Sequence, residues 1–145
     1  TSAKFTNNTL RLNCVSDKNI RLSIKLDAVK NGIVRMRACM GGSVPDNYTL
    51  MLAEDKFSSA VAVFSETKSA YIYKTKLMRV KIDKSPVRIF IYDKNNNLLT
   101  STRPDGLNIG YGFKMSMNAN NNERYYGFGS GPGASLERNG GKYLI

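Results

Sequence analysis

The side chains of this sequence that are able to do chemistry are few and of few kinds. Carboxylates stand at positions such as Asp83, Asp93, Asp105, Glu123 and Glu137, thiols at Cys14 and Cys39, and no histidine occurs in the 145 residues. The missing imidazole removes the Ser-His-Asp triad, the Cys-His pair and histidine-ligated zinc together. Two cysteines so far apart are too few for a four-thiolate metal centre and match no metal knuckle, so no metal site and no cofactor is expected. They read as small buried hydrophobes, with one disulfide left open for an oxidising compartment. The acids mostly flank apolar runs or sit in turns, where a carboxylate is most simply a solvated turn or cap residue, and none is assigned as a catalytic group.

A denser cluster of distinctive residues lies near the C-terminal end. From Glu123 the chain reads Glu-Arg-Tyr-Tyr-Gly-Phe-Gly-Ser-Gly-Pro-Gly-Ala-Ser-Leu-Glu-Arg-Asn-Gly-Gly-Lys-Tyr-Leu-Ile. Gly127, Gly129, Gly131 and Gly133 alternate strictly and no Lys-Ser/Thr pair follows, so neither the dinucleotide fingerprint nor the phosphate loop is present. Glycine at this density lets backbone approach backbone or ligand closely. Asn139-Gly140, flanked by Leu136 and Tyr143, carries a two-residue hairpin signal. By residue chemistry alone this is a glycine-rich hairpin closing a sheet edge.

The elements that must position these residues are strands. Leu10, Leu12 and Cys14 alternate with Arg11 and Asn13; Ile20, Leu22, Ile24 and Leu26 alternate with Arg21, Ser23 and Lys25. The same period of two runs through Val34 to Met40, Ala60 to Phe64, Tyr71 to Tyr73, Met78 to Ile82, Val87 to Ile91 and Phe113 to Met117. Such spacing puts apolar side chains on one face of a strand, and no window offers helical spacing. Turn chemistry separates the runs at Lys30-Asn31-Gly32, Gly41-Gly42, Pro45-Asp46-Asn47, Asp93 to Asn97 and Pro104-Asp105-Gly106. The expected fold is all-β, an antiparallel two-sheet β-sandwich in one domain.

Basic residues number 22 against 11 acidic, a formal charge of +11. Many occupy the polar position of an alternation, among them Arg21, Lys25, Arg35, Arg37, Arg79, Lys81 and Arg88, which makes solvated strand faces the simplest account. A phosphate-binding surface is the second reading; it is disfavoured because no basic cluster is interleaved with aromatics along the chain. Docking onto an acidic partner, including a second domain of the same polypeptide, is the third. The apolar runs fall short of the ~20 residues that span a bilayer, and no membrane partner is expected. The chain opens on Thr1 rather than Met, which suggests a processed or excised piece.

Tyr125 to Gly129, followed by Leu136, Arg138, Gly140, Lys142 and Tyr143, resembles the end of the N-terminal β-sandwich of glycoside hydrolase family 31, the α-glucosidase and α-xylosidase family. Ile33 to Arg37, Thr75 to Leu77 with Asp83 to Ile89, and Tyr92-Asp93 with Leu98-Leu99 resemble its strands in the same order. Ser130 stands where the family usually has glutamate, and Asn139 where it has arginine. The resemblance implies a galactose mutarotase-like supersandwich over residues 1–145, ending before a catalytic (β/α)8 barrel that supplies both carboxylates. It further implies that this chain alone is inactive, with the barrel of the same polypeptide and an oligosaccharide substrate as partners and no nucleic acid. Tyr126, Phe128, Glu137 and Arg138 are then expected at the substrate-pocket rim or the domain interface. A related α-glucosyltransferase domain fits the same resemblance. A free-standing carbohydrate-binding sandwich is the alternative, weakened by the lack of Trp for sugar stacking.

Overall fold

The computed structural model describes residues 1–16, 18–44, 60–109, 113–119 and 123. Strands β1 (Ser2–Thr6), β2 (Thr9–Val15), β3 (Arg21–Lys30) and β4 (Ile33–Met40) form one antiparallel sheet in that order. Strands β5 (Val63–Glu66), β6 (Ala70–Lys74), β7 (Met78–Lys84), β8 (Val87–Asp93), β9 (Leu98–Ile109) and β10 (Phe113–Met117) form a second, six-stranded meander. The all-β two-sheet sandwich expected from the alternation is the observed fold.

Each sheet buries the apolar half of its alternation against the other. Leu10, Leu12, Cys14, Leu22, Ile24, Leu26 and Ala28 face Tyr71, Tyr73, Val80, Ile82 and Ile89 in one continuous core. Each such side chain removed from water contributes about 1.5 to 3 kcal/mol, so the facing rows dominate stability. At one side of the core the rings of Phe5, Phe64, Tyr71 and Tyr73 pack in series, with centroids 5.6 to 6.2 Å apart in offset and edge arrangements.

Turn residues do what their backbone preferences allow. Asn7 and Asn8 both adopt positive φ (50° and 58°) in the two-residue β1–β2 turn, the conformation that matches strand twist. In the β8–β9 turn Asp93 Oδ1 accepts the amides of Asn95 and Asn97, each at 2.8 Å, while Asn96 sits at φ 71°. The Asn97 side-chain amide, then its backbone N–H, holds the Asp93 carboxyl below the usual carboxylate range.

Three expectations are corrected. Strand β1 was not among the expected runs, since only Ala3 and Phe5 face inward from it. Pro104-Asp105-Gly106 does not reverse the chain; it lies within β9 as a bulge, where Arg103 to Gly106 stand opposite Ser116 alone. Cys14 is buried as expected, but Cys39 is only half-buried on the outer face of β4. Cys14 pairs with Leu22, and Cys39 pairs with Ser23 one position on, so the thiols lie on opposite faces of the sheet and are unbonded.

Two predictions follow from this packing. The Tyr73 hydroxyl, in a fully buried ring, donates to the Asn8 carbonyl across the core; burial pushes its pKa up from 10.0 to about 12. Since the folded phenol holds its proton more tightly than the unfolded one, the contribution is complete below pH 10 and is lost as pH rises towards 12. Tyr73→Phe should cost roughly 1 kcal/mol at neutral pH and flatten the alkaline fall in stability; equal slopes in urea melts from pH 8 to pH ~11.5 would refute this. At Gly106 an added Cβ would lie 2.5 Å from the Ser116 carbonyl and 2.7 Å from the Arg103 nitrogen, both backbone atoms. Gly106→Ala should therefore destabilise by about 1 to 3 kcal/mol, and an unchanged urea midpoint would show that the bulge relaxes freely.

Candidate functional site

Polar chemistry concentrates on the outward faces of the two sheets. On the four-stranded sheet the β3–β4 register sets Lys25 opposite Arg37 and Asp27 opposite Arg35, while Thr9 of β2 faces Asp27 from the other side. Asp27 thereby becomes a hub. Its Oδ2 accepts from Arg37 Nη2 at 3.1 Å and lies 3.8 Å from Arg35 Nη2; its Oδ1 accepts from Thr9 Oγ1 at 2.9 Å and lies 3.5 Å from Lys25 Nζ. Lys25 is only 6% exposed, and Arg35 and Arg37 are half-buried. The expectation of a solvated face thus fails for this row. A charge taken this far from water needs its partner, and removing that partner leaves a buried cation uncompensated.

On the six-stranded sheet the outward row of β7 faces that of β8. Arg79 lies 4.0 Å from the Tyr92 ring centroid, and Lys81 and Arg88 each lie 4.9 Å from that of Phe90. Lys81 also pairs with Asp83 at 2.8 Å. Base and aromatic therefore meet across strands rather than along one. The cations sit over the rings where a base or sugar would have to stack, so the face is built as a self-paired ladder.

The carboxylates of this part of the molecule hold structure. Glu66 Oε1 accepts from Lys84 Nζ at 2.6 Å, Asp105 lies 3.6 Å from Arg103 Nε, and Asp93 closes its turn. Among the described residues no group of three or more His, Cys, Asp or Glu is placed to hold a metal ion, and no helix is long and apolar enough to cross a membrane. Tyr126, Phe128, Glu137 and Arg138 lie outside the described residues, as does the pair Asn139-Gly140 for which a hairpin is expected. The Asp27 hub was missed from sequence, although Lys25-x-Asp27 and Arg35-x-Arg37 flank one short turn and were open to being read as a facing pair.

Comparison with known proteins completes the picture. Residues 23–145 match the family model of the glycosyl hydrolase 31 N-terminal galactose mutarotase-like domain. No curated protein sequence matches the chain. Similar solved structures include a glycoside hydrolase family 31 dextranase from Flavobacterium johnsoniae, determined with isomaltotriose and with glucose; its TM-score is 0.73 at 22% identity over 95% of this chain. A cycloalternan-forming enzyme from Listeria monocytogenes, in complex with a pentasaccharide substrate, gives a TM-score of 0.54 at 18% identity over 74% of the chain. The chain spans 17% of the length of the dextranase and 10% of that of the cycloalternan-forming enzyme. At these identities the structures speak for the fold, and the family match carries the assignment: the chain belongs to the glycoside hydrolase family 31 N-terminal, galactose mutarotase-like domains.

Proposed function

We propose that residues 1–145 are a single N-terminal domain of a longer retaining α-glycoside hydrolase, α-glucosidase-like in substrate class, that packs on a catalytic (β/α)8 barrel and shapes the mouth of its pocket. The family match over residues 23–145 is the observation that carries this reading. The chemistry of the acids supports it. Retaining hydrolysis needs two carboxyls ~5 to 5.5 Å apart on either side of one glycosidic bond, each with lone pairs directed at the sugar. Asp27, Glu66, Asp83, Asp93 and Asp105 instead direct theirs at cations and turn amides. The reacting pair then belongs to the barrel, and the substrate is an oligosaccharide.

The same reading gives Tyr126, Phe128, Glu137 and Arg138 their place at the interface with the barrel or at the rim of its pocket. The partner supplies the cover.

Two experiments check this. The longer protein should hydrolyse a chromogenic α-glucoside and residues 1–145 alone should not, with amides of 125–143 exchanging faster in the short form. Turnover by the short form that is lost on mutating one of its own carboxylates, or equal exchange in both, would overturn the assignment. Asp27→Ala in the longer protein should cost about 3 kcal/mol of stability, as expected when a buried cation loses its counter-charge, yet leave kcat within about twofold at a permissive temperature. A large loss of kcat with unchanged stability would make Asp27 part of the reaction.

A further inference from the structure

The β3–β4 and β6–β7 turns meet at one end of the sandwich and, with the segment leading into β5, enclose a groove. Its apolar floor is unusually wet: Val61 is 73% exposed, Val63 62% and Leu77 44%. These side chains do not fold back into the core, because the backbone beneath them is tied. Leu77 N donates to the Asn31 carbonyl at 3.2 Å, Thr75 Oγ1 donates to the same carbonyl, and Ala60 N donates to the Ala28 carbonyl at 3.1 Å. The turn tips of both sheets are thus locked together, and among the described residues the groove is preformed.

Its rim is of one charge. Lys30, Lys74 and Lys76 line the groove, no acidic residue lies among its described lining residues, and none of the three lysines has an ion-pair partner among the described residues. Contiguous exposed apolar surface with a polar rim marks an interaction site, and a single-signed rim selects a partner of opposite sign. A second copy of this chain brings the same three lysines and a net +11 charge, which oppose its docking on a basic rim. A nucleic acid would satisfy the lysines and leave the valines and Leu77 in water. A concave floor admits a protruding side chain and not a flat lipid surface.

We propose that this groove docks an acidic segment, carrying at least one protruding apolar side chain, from the remainder of the same polypeptide. The inference rests on the reading of the chain as one domain of a longer enzyme. A tethered segment meets the groove at an effective concentration that a free protein does not reach, which is why the same polypeptide is the source. Val61, Val63 and Leu77 lose their water to the partner's apolar side chain, and the lysines pair with its carboxylates.

Amine footprinting of the longer enzyme tests this, with exposed Lys68 and Lys94 as internal references. Lys30, Lys74 and Lys76 should acylate about tenfold more slowly than the references, as expected for groups sealed at the edge of an interface. Zero-length carbodiimide coupling should join at least one of them to an Asp or Glu beyond residue 145. Leu77→Asp, at a half-exposed position that leaves the core untouched, should abolish the coupling and restore the acylation rates. Acylation at the reference rate, or coupling only to another protein or a second copy, would overturn the proposal. Hydrolysis of an α-glucoside by the same preparation separates the two readings. Protected lysines in an inactive enzyme would remove the catalytic assignment alone, and reactive lysines in an active one would remove the groove alone.

Discussion

Everything in this sandwich depends on phase. Each sheet has one face in the core, so each hairpin must return its strand with the apolar row pointing the same way, and a slip of one residue exposes the entire row. The length of the turn and the parity of the apolar positions must therefore agree. They do at β7–β8, where a two-residue turn pairs Lys84 with Val87 and brings Ile82 opposite Ile89 and Val80 opposite Ile91. They do not at β3–β4. There the two-residue turn pairs Lys30 with Ile33, which carried on unbroken would set Leu26 against Arg37. A bulge between Ala28 and Lys30 absorbs one residue and restores Leu26 to Met36.

That one-residue correction also builds the charged hub. Without it Asp27 would face Met36 across the ladder; with it Asp27 faces Arg35 and Lys25 faces Arg37. Core packing and the buried ion cluster are consequences of the same bulge. The cost of holding Lys25 at 6% exposure is met by Asp27, two residues along the same strand and so on the same face, while the bulge adds Arg35 and Arg37 to that carboxylate.

Much of the fold was legible because period-two alternation depends only on burial of one face. Leu10 to Cys14, Leu22 to Leu26 and Val80 to Ile82 all bury as their spacing implies. Three things were less so. Strand β1 contributes only Ala3 and Phe5 to the core, too short a signal to stand out. Pro104-Asp105-Gly106 has the composition of a turn because a bulge needs the same backbone freedom. Burial of the outer charges depends on cross-strand neighbours, which spacing along one strand does not reveal. Yet the β3–β4 bulge was implicit: the apolar positions in Leu22 to Ala28 and Val34 to Met40 are all even, and a two-residue turn pairs odd with even. The motif from Tyr125 to Tyr143 pointed to the family before any strand was paired, since its residue types are specific where the alternation is generic.

The tyrosine that crosses the core has a bearing on the order in which the molecule can assemble. Asn8 accepts the Tyr73 hydroxyl on its carbonyl and the Ala62 amide on its side chain, so the first hairpin is bound to groups 65 and 54 residues further along. On a growing chain β1 and β2 are available early, but they bury their inner row only when β6 has emerged. Closure is therefore late and long-range, which slows folding and leaves Leu10 and Leu12 uncovered in the interval. The polar pins Asn7 and Asn8, by fixing the turn locally, keep that waiting hairpin in the register that Tyr73 later requires.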